Sequence, residues 1–235
     1  METLPDALAL AQTMVDIGKL ADKPVVAVIT SMAQPLGTHI GNALEVKDAI
    51  DVLAGRTQGD LLEISLLLGS HMLVLAEKAR TLPEARAMLE NALSSGAGLR
   101  KLAEMIAAQG GDPRVVEDLS LLPQAAVKRV MRAETAGYLS AMDTTALGMA
   151  AQRMGAGRAK KSDMLDYSVG YVLHVRLGDE VTEDTPLATL YARNEAEAEE
   201  AEKAIRKALT IAKEKPSVPP LWDAVVTAEG ITYNR

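Results

Sequence analysis

The residues best suited to chemistry lie in one glycine-containing turn between an apolar strand and a helix. The turn holds Pro35, Gly37, His39 and Gly41, and the acidic residue Asp48 follows in the helix. Tight backbone with glycines can present carbonyl oxygens and amide hydrogens to an ion or a substrate. Open α/β sheets place their ligands at such strand-to-helix joints. The alternative is a loop that only turns the chain, because one such loop is a weak signal by itself.

A second candidate is the loop at residues 155–161, which combines two glycines with three cationic side chains. A loop of this kind can bind a phosphate through its amides and its charges. We favour a structural turn over direct substrate contact, and we expect Asp163 and Asp166 to pair with the cations.

The three histidines do not form a metal-binding pattern. His39 lies in the turn, where its ring is a weak candidate for a ligand or an acid. His71 lies in a leucine-rich helix and is expected in a core or interface, and His174 is expected on the solvent face of a strand. Three scattered histidines do not predict a zinc site, and the absence of cysteine excludes a thiolate site or a cysteine nucleophile.

The elements around the turn indicate an α/β first half. The apolar run at residues 25–29 is typical of a buried parallel strand. Periodicity and helix-end signals predict helices at residues 4–19, 42–54, 60–78, 82–93 and 98–109. The third of these is apolar on most sides and is therefore expected to be buried. One strand cannot form a parallel sheet, so the remaining strands are either short segments not recognised in this sequence or lie on polypeptide outside it, and we favour the second.

The second half indicates an α+β arrangement with mostly antiparallel pairing. A breaker cluster opens a connection at about residues 110–126. Strands are predicted at residues 127–132, 136–142, 167–175, 186–191 and 224–226, a turn into an edge at 178–181, and helices at 145–154 and 195–212. The predicted fold class is thus α/β followed by α+β.

Composition and net charge argue against several classes of protein. The sequence has 235 residues, of which 48% are hydrophobic, so a sizeable core is available. The net charge of −7 argues against a nucleic-acid or anionic-membrane partner. No apolar run approaches the length of a membrane span, and the first residues do not have the pattern of a signal peptide. We therefore expect a cytoplasmic location.

Nine stretches together resemble one enzyme family in order and spacing. They are residues 14–19, 34–37, 41–46, 68–72, 107–111, 147–148, 155–158, 160–163 and 178–181. The set is similar to the pyrimidine-nucleoside phosphorylase and thymidine phosphorylase family, and the run from Gln34 to Val46 is specific. Anthranilate phosphoribosyltransferases share the first fold only, so the pattern of residues 127–191 favours the nucleoside enzymes.

The resemblance implies phosphorolysis of a pyrimidine nucleoside to the free base and a pentose 1-phosphate. It covers only the C-terminal portion of the family. The phosphate loop with a Lys-His-Ser-Thr-Gly-Gly sequence and the pyrimidine-binding residues do not occur in this sequence. We therefore interpret the sequence as a fragment, a split gene product or an artificial truncation that contains no catalytic and no substrate-binding residue of the family.

The resemblance also implies a potassium site and a domain division. By position, the carbonyls of Leu36 and His39 and the carboxylate of Asp48 are the ligands that this chain retains. Many family members have Ala in place of His39 and Glu in place of Asp48. The predicted division is residues 1–112 as the C-terminal part of the α/β domain, 113–126 as a linker, and 127–235 as a C-terminal α+β domain.

Two functions follow as hypotheses. In the first, the chain is part of a pyrimidine-nucleoside phosphorylase, inactive by itself, whose complete enzyme binds phosphate and nucleoside and forms a homodimer. No organic cofactor is expected. In the second, the chain is a non-catalytic binding or scaffold module that needs an N-terminal partner chain.

Overall fold

The computed structural model describes Met1 and residues 3–234, which form two compact units. The first unit comprises Met1–Ser31, Gly59–Ser95 and Pro219–Arg235, and the second comprises Met32–Gln58 and Gly96–Val218. Each unit thus draws on separated stretches of the chain. The division predicted from the sequence, at residues 113–126, stays a prediction.

The elements follow the predicted alternation of helices and strands. In chain order they are α1 (Leu4–Leu20), β1 (Ala27–Thr30), β2 (His39–Ile40), α2 (Asn42–Leu53), α3 (Asp60–Leu75), α4 (Leu82–Ser94), α5 (Ala97–Ala108), β3 (Val127–Arg132), β4 (Gly137–Met142), α6 (Thr144–Ala151), β5 (Gly170–Leu173), β6 (Glu180–Val181), β7 (Pro186–Ala192), α7 (Glu195–Ala208), β8 (Leu209–Ala212), β9 (Trp222–Thr227) and β10 (Gly230–Tyr233). Short 3₁₀ segments at Pro113–Val116 and Leu119–Leu121 occupy the predicted connection.

Helix α1 begins where the sequence predicts. The Thr3 side chain accepts a hydrogen bond from the Asp6 N–H at 3.3 Å, which satisfies one of the free amides of the first turn. Its buried face carries Ala11 and Val15, which pack with Val226 of β9. This apolar cluster attaches the helix to the sheet of the first unit.

Strand β1 differs from the prediction. It pairs antiparallel with β9, and β9 pairs antiparallel with β10, giving the strand order β1-β9-β10. The partner found among the described residues is therefore antiparallel, and the parallel strands expected beside residues 25–29 on polypeptide outside this sequence stay a prediction. An apolar β-branched run indicates a strand but carries no information on its direction, and β9 lies about 200 residues further on. In the part of the chain that the structure describes, β1 has a strand partner on one side only.

Helices α3 and α4 pack as a hairpin in the first unit. Leu62, Ile64 and Leu66 of α3 are buried, but Leu68 and Met72 are exposed. The prediction that this helix is buried on most sides is therefore wrong for the described residues. A nearly uniform apolar helix indicates burial but does not say which neighbour supplies it.

The second unit contains two antiparallel sheets and the largest core. The strand orders are β2-β5-β7-β3 and β6-β4-β8. Tyr171, Leu173 and Leu190 are at most 1% exposed at the centre of the core, into which α7 inserts Ile205. Among the described residues every strand pair is antiparallel, as predicted for the second half.

Two predicted helices end early. The helix expected at 195–212 ends at Ala208, because Leu209–Ala212 forms β8 and pairs with β4. The helix expected at 145–154 ends at Ala151 and continues as a wider π-helical turn, Gln152–Ala156, in which Gly155 has a φ of 107°. No helix among the described residues has the length and apolarity needed to cross a membrane.

Candidate functional site

The turn singled out by the sequence is held along its length by a distant segment of the second unit. His39 and Ile40 of β2 pair with Val172 and Tyr171 of β5. The Leu173 N–H donates to the Thr38 carbonyl at 2.8 Å, and the Ala43 N–H donates to the Tyr167 carbonyl at 3.0 Å. The backbone from Thr38 to Ala43 is therefore fixed by residues more than 120 positions away.

Two glycines allow this close approach. A Cβ on Gly170 would lie 2.1 Å from the Ile40 carbonyl oxygen, and a Cβ on Gly41 would lie 2.5 Å from the Val169 carbonyl oxygen. Both glycines also have positive φ, at 147° and 136°. Any other residue at either position would therefore separate the two segments or strain them.

Arg176 holds the first part of the turn. Its guanidinium donates from Nη1 to the Pro35 carbonyl at 2.6 Å and to the Gly37 carbonyl at 3.4 Å, and from Nη2 to the Leu36 carbonyl at 3.5 Å. The next residue, Leu177, donates its N–H to Oε1 of Gln34 at 2.9 Å. Three consecutive carbonyls thus converge on one cationic side chain.

The carboxylate of Asp48 lies beneath the turn. Asp48 is only 4% exposed, and its Oδ2 accepts the Thr38 N–H at 3.2 Å. Its Oδ1 lies 3.4 Å from Nδ1 of His39, whose ring nitrogen is also 3.0 Å from the Thr38 hydroxyl. The predicted site residues His39 and Asp48 are therefore brought into contact.

Burial disfavours protonation of the His39 ring. Desolvation lowers the pKa of His39, with a further lowering by Lys47, against the opposing effect of the Asp48 charge. The desolvated ring therefore favours its neutral form more than a solvent-exposed histidine does, although Asp48 lies beside it.

The described contacts of Leu36 and His39 bear on the oxygen donors predicted for a monovalent cation. Thr38 bonds to β5 through its carbonyl, and carbonyls alternate in direction along a strand, so the His39 carbonyl points away from β5. Strand β2 is an end strand of its sheet, so that direction leads to the sheet edge. The Leu36 carbonyl takes only a long contact from Arg176 and has capacity for a second partner. Leu36, His39 and Asp48 thus supply two carbonyls and one carboxylate, which is the donor type that hard cations prefer.

The second candidate loop closes on itself. The amides of Ala159 and Lys160 donate to Oδ2 of Asp163 at 3.1 and 3.0 Å, and Nε of Arg158 donates to the Asp163 carbonyl at 3.1 Å. Asp166 accepts from the N–H and the hydroxyl of Ser168. The expected pairing of the two acids with cationic side chains is therefore corrected: Asp163 binds the loop through backbone amides. An internal carboxylate occupies the position that an external anion would need.

The other two histidines are His174 and His71. His174 is exposed at the end of β5, as predicted, with Nε2 2.7 Å from the Thr189 hydroxyl. His71 is half-buried in α3 and its pKa is lowered by burial. Among Met1 and residues 3–234, no group of three or more His, Asp or Glu side chains is placed to hold a metal ion.

Comparisons with known proteins identify the family to which this site belongs. Residues 138–212 match the sequence model of the pyrimidine nucleoside phosphorylase C-terminal domain, and residues 2–99 match that of the glycosyl transferase family a/b domain. The pyrimidine-nucleoside phosphorylases of Geobacillus stearothermophilus and Bacillus subtilis are each 49% identical over 195 residues, covering 83% of this chain and 45% of the relative. The chain belongs to the pyrimidine-nucleoside phosphorylase family.

The match extends over most of this chain but over only about half of each relative. The Staphylococcus aureus pyrimidine-nucleoside phosphorylase is 43% identical over 227 residues, covering 97% of this chain but 52% of the relative. The chain thus spans about half the length of the curated relatives it matches. The turn, α2 and the first unit's N-terminal part lie in the a/b-domain match, whereas Arg176 lies in the C-terminal-domain match.

Proposed function

We propose that this chain is one part of a pyrimidine-nucleoside phosphorylase. The observation that carries the proposal is 43–49% identity to enzymes of that name across 83–97% of this chain. In the proposed reaction the bond between the pentose and the base nitrogen breaks, a bond from the pentose to a phosphate oxygen forms, and the base leaves with the bonding electrons. Such a reaction needs donors for the phosphate and for the developing charge on the base.

We assign none of those donors to this chain. The Lys-His-Ser-Thr-Gly-Gly sequence of the family's phosphate loop is absent from its 235 residues. The proposed contribution is instead the cation-binding turn and the scaffold behind it, so the isolated chain is inactive. Homodimer formation and a cytoplasmic location remain predictions for the complete enzyme.

The turn is the proposed potassium site. The carbonyls of Leu36 and His39 and the carboxylate of Asp48 would hold the ion, which would supply positive charge next to a bound phosphate. The residues of this chain orient those oxygens: Thr38 fixes the Asp48 carboxylate, and β5 fixes the backbone of His39.

The proposed partner is the half of the family polypeptide that this chain does not match. The exposed side chains Leu10, Met14 and Ile17 recur at helical spacing along α1 and form an apolar stripe. In the same unit, β1 has β9 on one side only within the described residues, so its other edge can accept a parallel strand. These features also support the second candidate, a scaffold module that binds such a partner without catalysing phosphorolysis.

The test combines this chain with a polypeptide containing the unmatched half of the Geobacillus stearothermophilus enzyme. We expect release of uracil or thymine from nucleoside and phosphate by the mixture and by neither polypeptide alone. Turnover by this chain alone would contradict the assignment of the missing groups. A stable complex that has no turnover would favour the scaffold function instead.

The potassium proposal has a separate test. In Asp48→Asn the Thr38 N–H keeps an acceptor but the site loses its charge, so we expect potassium chloride to stabilise the variant no more than choline chloride does. Asp163→Asn, in the self-closed loop, is the matched control and should keep the potassium effect. Equal stabilisation of Asp48→Asn and the unmodified chain by potassium would contradict the site.

A further inference from the structure

Arg176 contacts the candidate cation site without belonging to the proposed ligand set. Its guanidinium reaches the carbonyls of Pro35, Leu36 and Gly37 from a segment of the C-terminal-domain match. Nothing in the sequence around position 176 marks it as part of a site that lies about 140 residues earlier.

The Arg176 side chain extends from a backbone that is itself fixed. The Arg176 N–H donates to Oδ2 of Asp179 at 2.7 Å, the Leu177 N–H donates to Gln34, and the Gly178 N–H donates to the Leu139 carbonyl at 2.9 Å. The guanidinium therefore approaches the turn from a defined direction. Its planar arrangement of donors suits several acceptors at once, which a lysine ammonium on a flexible stem does not reproduce.

The distances show how the three carbonyls share this cation. The distance from Nη1 to the Pro35 carbonyl oxygen is short at 2.6 Å, whereas the distance from Nη2 to the Leu36 carbonyl oxygen, 3.5 Å, is at the upper limit for a hydrogen bond. Carbonyl dipoles that point the same way repel one another, and a positive charge at their convergence offsets the repulsion. Arg176 thus stabilises the bend at Pro35 and Gly37 and leaves the Leu36 oxygen available to another partner.

We propose that Arg176 is a positioning residue for the monovalent-cation site: it fixes the Leu36 carbonyl for the ion by binding the carbonyls on either side. This inference rests on the cation site of the proposed function. It links the C-terminal-domain match to ion affinity, although none of the proposed ligands lies there. Neighbours that orient ligands are known to change metal affinity substantially when removed.

The experiment compares Arg176→Met and Arg176→Lys with Arg158→Met. Arg158 also donates its guanidinium to a carbonyl in the second unit, that of Asp163, and is therefore a matched control away from the turn. The 235-residue chain is unfolded thermally in a potassium chloride titration, with choline chloride keeping the ionic strength constant, and again with sodium chloride.

We expect Arg176→Met to raise the potassium concentration at half-maximal stabilisation by about tenfold. Arg176→Lys should restore part of the affinity, and Arg158→Met should match the unmodified chain. Hydrogen exchange at Thr38, His39 and Ile40 should be faster in Arg176→Met. A purely structural role would lower the unfolding temperature equally in every salt and leave the potassium midpoint unchanged, which would overturn the proposal.

The outcomes separate this inference from the proposed function. A normal potassium midpoint in Arg176→Met overturns the role of Arg176 even if the mixture with the Geobacillus polypeptide is active. A raised midpoint supports that role even if the mixture has no turnover. An unmodified chain that does not respond to potassium, beside an active mixture, overturns the positioning role and leaves the phosphorylase assignment standing.

Discussion

The two glycine-containing loops of the second unit are closed in opposite ways. The loop at residues 155–163 is closed by its own Asp163, which accepts amides three and four residues earlier. The turn at residues 34–43 is closed by the segment at residues 167–177, which pairs with it and donates to its carbonyls. The first loop is closed mainly by its own carboxylate, with one bond from the Asn42 side-chain amide to the Ala156 carbonyl at 2.8 Å, and the turn is shaped by distant backbone.

This difference separates a local structure from a candidate site. A loop closed by a neighbouring carboxylate has its amides already satisfied, so it offers little to a ligand. In the turn, by contrast, distant donors bind the carbonyls of Pro35 and Thr38, and the Leu36 carbonyl takes a longer contact. The shape of the turn therefore depends on support from outside it.

The largest expected effect comes from the glycines. Gly170→Ala should destabilise the protein by at least about 3 kcal/mol, because its Cβ would meet the Ile40 carbonyl and its φ is strained for alanine. Gly157→Ala in the self-closed loop should cost less than about 1 kcal/mol, since its nearest neighbour is the flexible Gln152 side chain. Urea unfolding monitored by circular dichroism measures both.

A third glycine shows what a glycine-to-alanine change does where nothing crowds the added methyl group. Gly148 lies within α6 and a Cβ there would have no neighbour within 4 Å. Gly148→Ala should therefore stabilise the protein by up to about 1 kcal/mol through helix propensity. If all three alanines changed the free energy of unfolding alike, the contrast between the two loops would be lost.

Removal of the carboxylates of Asp48 and Asp163 should show the same contrast between the turn and the loop, with smaller losses of stability. Asp48→Ala leaves the Thr38 N–H without its buried acceptor and should cost about 2 kcal/mol. Asp163→Ala exposes two amides that water can reach and should cost about 1 kcal/mol. Hydrogen exchange should locate the first effect in the turn and β5, and the second within residues 158–163. A larger cost for Asp163→Ala would reverse the comparison.

The smallest expected effect is on the pH dependence of stability, through His174 at the end of β5. Partial burial of the ring and, secondarily, the charge of Lys128 lower the pKa of His174 below its ordinary value of 6.5. The folded state therefore holds fewer protons than the unfolded state, so the associated stability is present above pH 6.5 and is lost as the pH falls through the lowered pKa.

The variant His174→Gln isolates this contribution. Because the pKa values of His39 and His71 are also lowered, the unmodified chain should lose stability on acidification from several groups. The loss between about pH 7 and pH 5 should be smaller in His174→Gln. Urea unfolding at several pH values measures the difference, and identical pH profiles would show that His174 does not titrate with folding.

Local patterns in the sequence predicted most of the elements. Thr3 caps α1 as expected, the run at residues 127–132 is a strand, and the breaker cluster precedes an irregular connection. The candidate turn was found because Pro35, Gly37 and Gly41 lie between a strand and a helix. Each of these signals is contained within a few residues, and so a single sequence can show it.

Several features that the sequence did not reveal depend on pairing over long distances. Strand β1 pairs antiparallel with β9, and Leu209–Ala212 forms a strand that pairs with β4 instead of extending the predicted helix. The contact of Arg176 with the turn could not be predicted, because its acceptors lie about 140 residues away in the sequence. An isolated arginine carries no local signal of the carbonyls that it will bind.

Native-state hydrogen exchange of the unmodified chain tests most directly whether the turn is shaped by the distant segment. The amides of Thr38 and Ile40 and those of Tyr171 and Leu173 should exchange with one common free energy of opening, as a single cooperative unit. The amides of Ala159 and Lys160 should open separately and more easily. If the turn amides instead opened independently of β5, at a lower free energy, the turn would be a self-contained loop, and the claim that distant backbone shapes it would be contradicted.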